Sequence, residues 1–167
     1  MPNQSIELSE VRVSEVSGSP YLRLQLEPHV SVAIALPLVQ ETFVAAVDRL
    51  TSMPNVHACL IGLIEHRSSI FWTLDLPQLL GFTPLDSASI DYNIAVLQVR
   101  GELLGLAIRR IGQVVHFTDE AIRSPLDRNL PATLTPFLRG VLPSSDDQSD
   151  GKIYVLDAES IALAKLS

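Results

Sequence analysis

Residues 60–82 read LIGLIEHRSSIFWTLDLPQLLGF, and the way this stretch is parsed decides the fold. Two apolar runs, 60–64 and 70–74, flank a polar tip of Glu65, His66, Arg67, Ser68 and Ser69. Each run is too short for a core helix, and Ile70, Phe71, Trp72 and Thr73 suit a pleated surface. The stretch therefore predicts a β-hairpin. It ends at Asp75, an acceptor placed to cap a short helical turn that opens with Leu76-Pro77 and stops at Gly81.

The same order of residues returns near the C-terminus. Gly62-Leu63-Ile64 is answered by Gly140-Val141-Leu142, and Phe71-Trp72-Thr73-Leu74-Asp75 by Ile153-Tyr154-Val155-Leu156-Asp157. In both copies the Asp opens a short segment, 76–80 and 158–163. Upstream, Ala35-Leu36 with Val39-Gln40-Glu41 parallels Ala107-Ile108 with Ile111-Gly112-Gln113. Matches in the same order, roughly 72 to 82 positions apart, point to two copies of one small β-unit. The tips differ in length, which is where a hairpin tolerates insertion.

A chain of 167 residues, 47% of them hydrophobic, is large and apolar enough for one domain or two small lobes sharing a core. The net charge of −7, with no Lys/Arg cluster, argues against nucleic acid as a partner. No apolar run approaches the ~20 residues needed to cross a bilayer, so membrane insertion is not expected. Met1-Pro2-Asn3-Gln4-Ser5 lacks the basic and apolar parts of a signal peptide, so a cytoplasmic location is expected. The single Cys59, within Ala58-Cys59-Leu60-Ile61, has no internal disulfide partner and reads as a small core hydrophobe.

Residues 1–20 read as a loose tail with at most an edge strand at Val11, Val13 and Val16. From Tyr21 the alternation of Tyr21, Leu22, Leu24 and Leu26 with Arg23, Gln25 and Glu27 predicts a half-buried strand. Residues 30–36 are almost wholly apolar, as a strand buried on both faces requires. Residues 39–48 fit a strand leading into a helical turn, or two short strands. Residues 94–99 and 103–108 flank an Arg100-Gly101 turn, 111–117 form a further strand, and Thr118 is placed to cap a helical turn. A Pro-containing loop over 124–136 precedes a last hairpin, 137–142 and 153–156, with an acidic tip between. Many short strands with few helices indicate an all-β barrel or sandwich, and two small barrels related by a rough twofold is the preferred form.

Chemistry is sparse. His29, His57, His66 and His116 lack the spacing of a metal site, and there is no phosphate loop or nucleophile elbow. The tip Asp146-Asp147-Gln148-Ser149-Asp150-Gly151 lacks the ligand spacing and terminal Glu of a calcium loop. Asp75 and Asp157 read as structural caps rather than a catalytic carboxylate pair. No catalytic, cofactor or metal residue is therefore assigned. Glu65-His66-Arg67, three ionisable groups at a tip, is the most contact-like triplet.

Gly62-x-x-x-x-Arg67-x-x-Ile70-x-x-x-Leu74-Asp75-Leu76 resembles the G-V-x-N-L-R-G-x-I-x-P-V-x-D-L signature of CheW-like chemotaxis coupling proteins. Val39-Gln40-Glu41 is similar to the V-x-E segment upstream, and Asn55 falls near a turn of that family. Gly105-Leu106-Ala107-Ile108 and Tyr154-Val155-Leu156-Asp157 resemble stretches of its second lobe. Glu65 and Ser68 replace the family's Asn and Gly beside the arginine, Trp72 replaces its Pro, and Ile108-Arg109 stands where V-D is usual.

The resemblance implies two five-stranded SH3-like barrels around a shared core, with short helical turns. Lobe one would span about 21–90 and lobe two about 91–167 of a single domain, with exchange of terminal strands left open. It also implies a non-enzymatic adaptor without cofactors in a chemotaxis or pilus-motility pathway. Such an adaptor bridges a chemoreceptor signalling tip, docked in a groove between lobes, to the regulatory domain of a CheA-type histidine kinase; weak self-association stays open. Val39, Glu41, Gly62 and Arg67 match the family's partner-binding positions. Physically, Gly62 would admit close backbone approach, Arg67 would bond a carboxylate or carbonyls, and Val39, Leu63 and Ile64 would line an apolar groove. The competing reading is a small-ligand-binding or catalytic β-barrel, for which a deep pocket with converging polar groups would speak.

Overall fold

The computed structural model describes residues 18–124, 130–144 and 151–164. The expected edge strand in the N-terminal tail, most of the acidic tip and part of the 124–136 loop lie outside them. Among the described residues ten strands form two five-stranded sheets. The strands are β1 (Ser19–Glu27), β2 (Val30–Ala35), β3 (Val39–Ala46), β4 (Leu60–His66), β5 (Ser69–Asp75), β6 (Asp91–Val99), β7 (Glu102–Ile108), β8 (Arg110–Phe117), β9 (Leu138–Pro143) and β10 (Lys152–Leu156). Among the described residues two short helices, α1 (Leu76–Leu79) and α2 (Ala158–Ala162), follow β5 and β10. Residues 39–48 resolve as a strand running into a 3-10 turn over Val47–Arg49. Another 3-10 turn forms over Asp119–Ala121, but the Thr118 side chain makes no capping hydrogen bond to it.

The order in one sheet is β8-β1-β2-β10-β9 and in the other β3-β6-β7-β5-β4. Counted within each half of the chain, both read third, first, second, fifth, fourth strand, which is the architecture a duplicated unit would give. The sheets do not part at residue 90. The first two strands of each half join the last three of the other, through parallel pairing of β10 with β2 and of β5 with β7 and antiparallel pairing of β1 with β8 and of β3 with β6. Parallel central strands are covered on both faces, which accounts for the burial of four successive residues of β2, Ser31 to Ile34. Edge strand β3 instead alternates half-buried and exposed residues along most of its length.

Asp75 and Asp157 are helix caps. Asp75 Oδ1 accepts from the Gln78 amide at 3.0 Å and Oδ2 from the Leu85 amide at 2.9 Å. Asp157 Oδ1 accepts from the Glu159 amide at 3.1 Å. The bonds from Gln78 and Glu159 satisfy amides left open at a helix start, and the capped turns seat Leu76, Leu79 and Ile161 in the main core. That core lies between the sheets and draws Leu22, Leu24 and Leu26 from β1 and Leu97, Leu106 and Ile108 from the other sheet. Each Leu or Ile so buried contributes roughly 1.5–3 kcal/mol. Two smaller clusters fill the other faces: Ala45, Ile64, Phe71, Tyr92, Ile94, Val96 and Ala107 in one sheet, and Tyr21, Ala33, Phe117, Ile153 and Val155 in the other. Cys59 is fully buried, and that burial pushes its thiol up to about 11.

Candidate functional site

The β4-β5 hairpin is longer and tighter than the polar stretch suggests. Its strands run to His66 and from Ser69, leaving only Arg67 and Ser68 as the turn, with φ of 50° and 65°. Two left-handed residues in succession match the twist of a two-residue hairpin, a geometry that costs non-glycine residues.

The tip folds towards β3, the opposite edge of the same sheet. His66 stacks on Phe43 with ring centroids 3.8 Å apart and planes within 2°. His66 Nε2 donates to Glu41 Oε2 at 3.2 Å, and Arg67 Nε lies 3.3 Å from the same oxygen. Arg49 donates from Nη2 to the Glu65 carbonyl at 2.8 Å, with its guanidinium 5.9 Å from the Phe43 ring. Glu41 and Arg67, 26 positions apart in sequence, therefore form one charged corner. The Arg67 side chain is 78% exposed, so the ion pair adds little stability.

Gly62 has a different neighbour from the one its sequence suggests. Thr51 pairs across it with Leu63 through two backbone hydrogen bonds, and a Cβ on Gly62 would stand 2.5 Å from the Thr51 carbonyl oxygen. The close approach is internal, and Gly62 itself is buried. The repeat extends to this detail: Arg123 pairs with Val141, and a Cβ on Gly140 would stand 2.8 Å from the Arg123 carbonyl oxygen. Ile64 is also internal, 1% exposed among Phe71, Ile94 and Ala107, so it lines no groove open to a partner.

Val39 and Leu63 lie on one face. Strand registers place Val39 opposite Leu97, Leu97 opposite Leu104, Trp72 beside Leu104, and Leu63 opposite Trp72. This row of five apolar residues crosses the whole sheet. Its middle forms one wall of a groove of about 250 Å³, lined by Leu60, Trp72, Leu97 and Leu104 and closed by Ile161 and Ala162 of α2. Arg100, at the turn between β6 and β7, forms an ion pair with Glu159 of α2. On β5 the row continues to Ile70, 69% exposed. The groove thus runs between one sheet and the helix attached to the other. Trp72, Leu97, Leu104 and Ile161 were not legible as site residues: nothing in the sequence separates them from core.

The CheW-like domain model matches residues 20–165. A curated relative described as a probable chemotaxis protein CheW, from Rhizobium etli, is 32% identical over 98 residues, which span 55% of this chain and 58% of that protein. The crystal structure of the scaffolding protein TtCheW from Thermoanaerobacter tengcongensis superposes with a TM-score of 0.68 at 19% identity, covering 84% of this chain and 90% of that one. Among the described residues no helix is long and apolar enough to cross a membrane, and no cluster of three or more His, Cys, Asp or Glu is arranged to hold a metal. The match over most of its length places this chain in the CheW-like domain family.

Proposed function

We propose that this protein is a non-enzymatic adaptor of a chemotaxis or pilus-motility pathway, coupling a chemoreceptor-type sensor to a CheA-type histidine kinase in the cytoplasm. The observation that carries the reading is the groove beside Trp72. It is lined mainly by apolar side chains and bordered by Glu102 at one rim, a surface suited to the apolar side chains of a receptor's helical tip. The second contact is the corner of Glu41 and Arg67. Glu41 lies against Nε of the guanidinium and the Arg67 side chain is largely exposed, so it can reach a carboxylate or carbonyl of the kinase regulatory domain. Gly62 supports this corner from within, by letting Thr51 pair along β4.

The test is a pull-down of the two partner domains by the purified protein. Trp72→Ala should weaken capture of a receptor signalling tip, and Arg67→Ala capture of the kinase domain, each with the thermal midpoint little changed for Arg67→Ala. Failure of both partners to bind the unaltered protein would sink the proposal.

A further inference from the structure

Of the triplet Glu65-His66-Arg67, the docking corner described above uses Arg67 and leaves His66 without a role. The His66 side chain is 16% exposed and lies flat on Phe43, ring centroids 3.8 Å apart, so packing fixes the plane of the imidazole. Its Nε2 stands 3.2 Å from Glu41 Oε2, and Arg67 Nε stands 3.3 Å from that same oxygen. Two donors therefore share one carboxylate oxygen. One carries a fixed charge and the other can gain one.

The charged groups around the imidazole come from three elements. Glu41 stands on β3 and Arg67 in the hairpin turn. Arg49, on the 3-10 turn after β3, donates to the Glu65 carbonyl and lies over the Phe43 ring on which His66 stacks. The exposed Glu65 side chain, next to His66 on β4, points to the other face of the strand.

A neutral imidazole has one N–H, and donation to a carboxylate places that proton on Nε2. A second proton, taken up at Nδ1, makes the bond to Glu41 charge-assisted, hence shorter and about twice as strong. It also sets a positive ring beside Arg67 and Arg49. His66 is packed, whereas the Arg67 side chain is 78% exposed, so the cation that yields its place on Glu41 is Arg67. Histidine is the side chain whose ordinary titration falls within roughly pH 5 to 8.

We propose that His66 is a positioning residue of the docking corner: on taking up a proton it claims Glu41 and releases Arg67 to the partner, so that capture through Arg67 strengthens in mild acid. The inference rests on the reading of this corner as a partner contact.

The first measurement needs no partner. In the isotope-labelled full chain, the His66 ring and Arg67 Nε resonances are followed from about pH 8 to about pH 5.5. They should move with one midpoint, and Arg67 Nε should stay still in His66→Gln, which keeps a donor but cannot gain charge. The second measurement is affinity for the purified kinase regulatory domain at the two ends of that range. Binding should be about tenfold tighter at the acid end. That ratio should fall to near one in His66→Gln and in His66→Phe, which retains a ring on Phe43 without the bond to Glu41; thermal midpoints report that both variants fold. Titration of the partner's own groups is common to all three proteins, so the difference between their pH profiles is the readout. An Arg67 Nε resonance that ignores the His66 titration, or an equal acid gain in folded His66→Gln, would overturn the inference. If the kinase domain is captured at neither pH, the reading of the corner as a kinase contact fails, and the Arg67 resonance alone decides whether His66 governs Arg67.

Discussion

Thr51 and Leu63 exchange both backbone hydrogen bonds, at 2.8 and 2.9 Å, directly over the face of Gly62 that lacks a side chain. A methyl there meets a backbone oxygen that cannot rotate away. Gly62→Ala is expected to cost at least about 2 kcal/mol, seen as a lower urea midpoint. Gly140→Ala, against Arg123, should be destabilising for the same reason. An unchanged midpoint would mean that Thr51 does not pair with β4 in solution.

Ser68 sits at φ 65° in the two-residue turn. Glycine adopts that conformation without the Cβ clash, so Ser68→Gly should raise stability by about 0.5–1 kcal/mol. Thermal unfolding measures it, and a fall in midpoint would contradict the turn geometry.

Thr73 is fully buried in β5, and its Oγ1 has no hydrogen-bond partner among the described residues. Val has nearly the same shape without the orphaned hydroxyl. Thr73→Val should stabilise by about 1 kcal/mol in chemical denaturation. Destabilisation would reveal a partner for the hydroxyl.

Glu27 Oε1 accepts from the Thr83 amide at 2.8 Å, and that bond holds its carboxyl below the ordinary value of 4.5. A depressed carboxyl stabilises the fold above its unfolded pKa, and the contribution is lost as pH falls through the folded one. Glu27→Gln should therefore lower the thermal midpoint at pH 7 and converge on the unaltered protein in acid. A gap that persists at low pH would assign the effect to packing instead.

Cys59, with its thiol pushed up to about 11 by burial, should react with a thiol reagent at pH 8 at least about a hundredfold more slowly than a free cysteine. Rapid labelling of the folded protein would show that the turn before β4 opens.

The order of elements, the two capping aspartates and the duplicated hairpin were readable because each rests on local rules: alternation, apolar run length, and an acceptor before a helical turn. The hairpin register was not. A tip of five residues centred on Arg67 places Leu63 opposite Phe71, whereas the two-residue turn at Arg67 and Ser68 places it opposite Trp72. A slip of one residue exchanges the faces of a strand. Here it decides that Trp72 rather than Phe71 shares the face of Leu63, while Ile64, next to Leu63 on β4, points to the opposite face in either register. The turn carries no Asn-Gly signal that would have fixed its length. Gly62 was legible as a site of close approach, but its partner Thr51 lies in an irregular segment that no periodicity announces.

Because β1 and β2 are completed only by β8, β9 and β10, this sheet closes with strands that the second half of the sequence supplies. Neither half holds a whole sheet, so neither severed half is expected to fold alone. Long-range pairing of this kind slows folding. During synthesis the apolar edge of β2 must wait, uncovered, for a strand more than a hundred residues behind it.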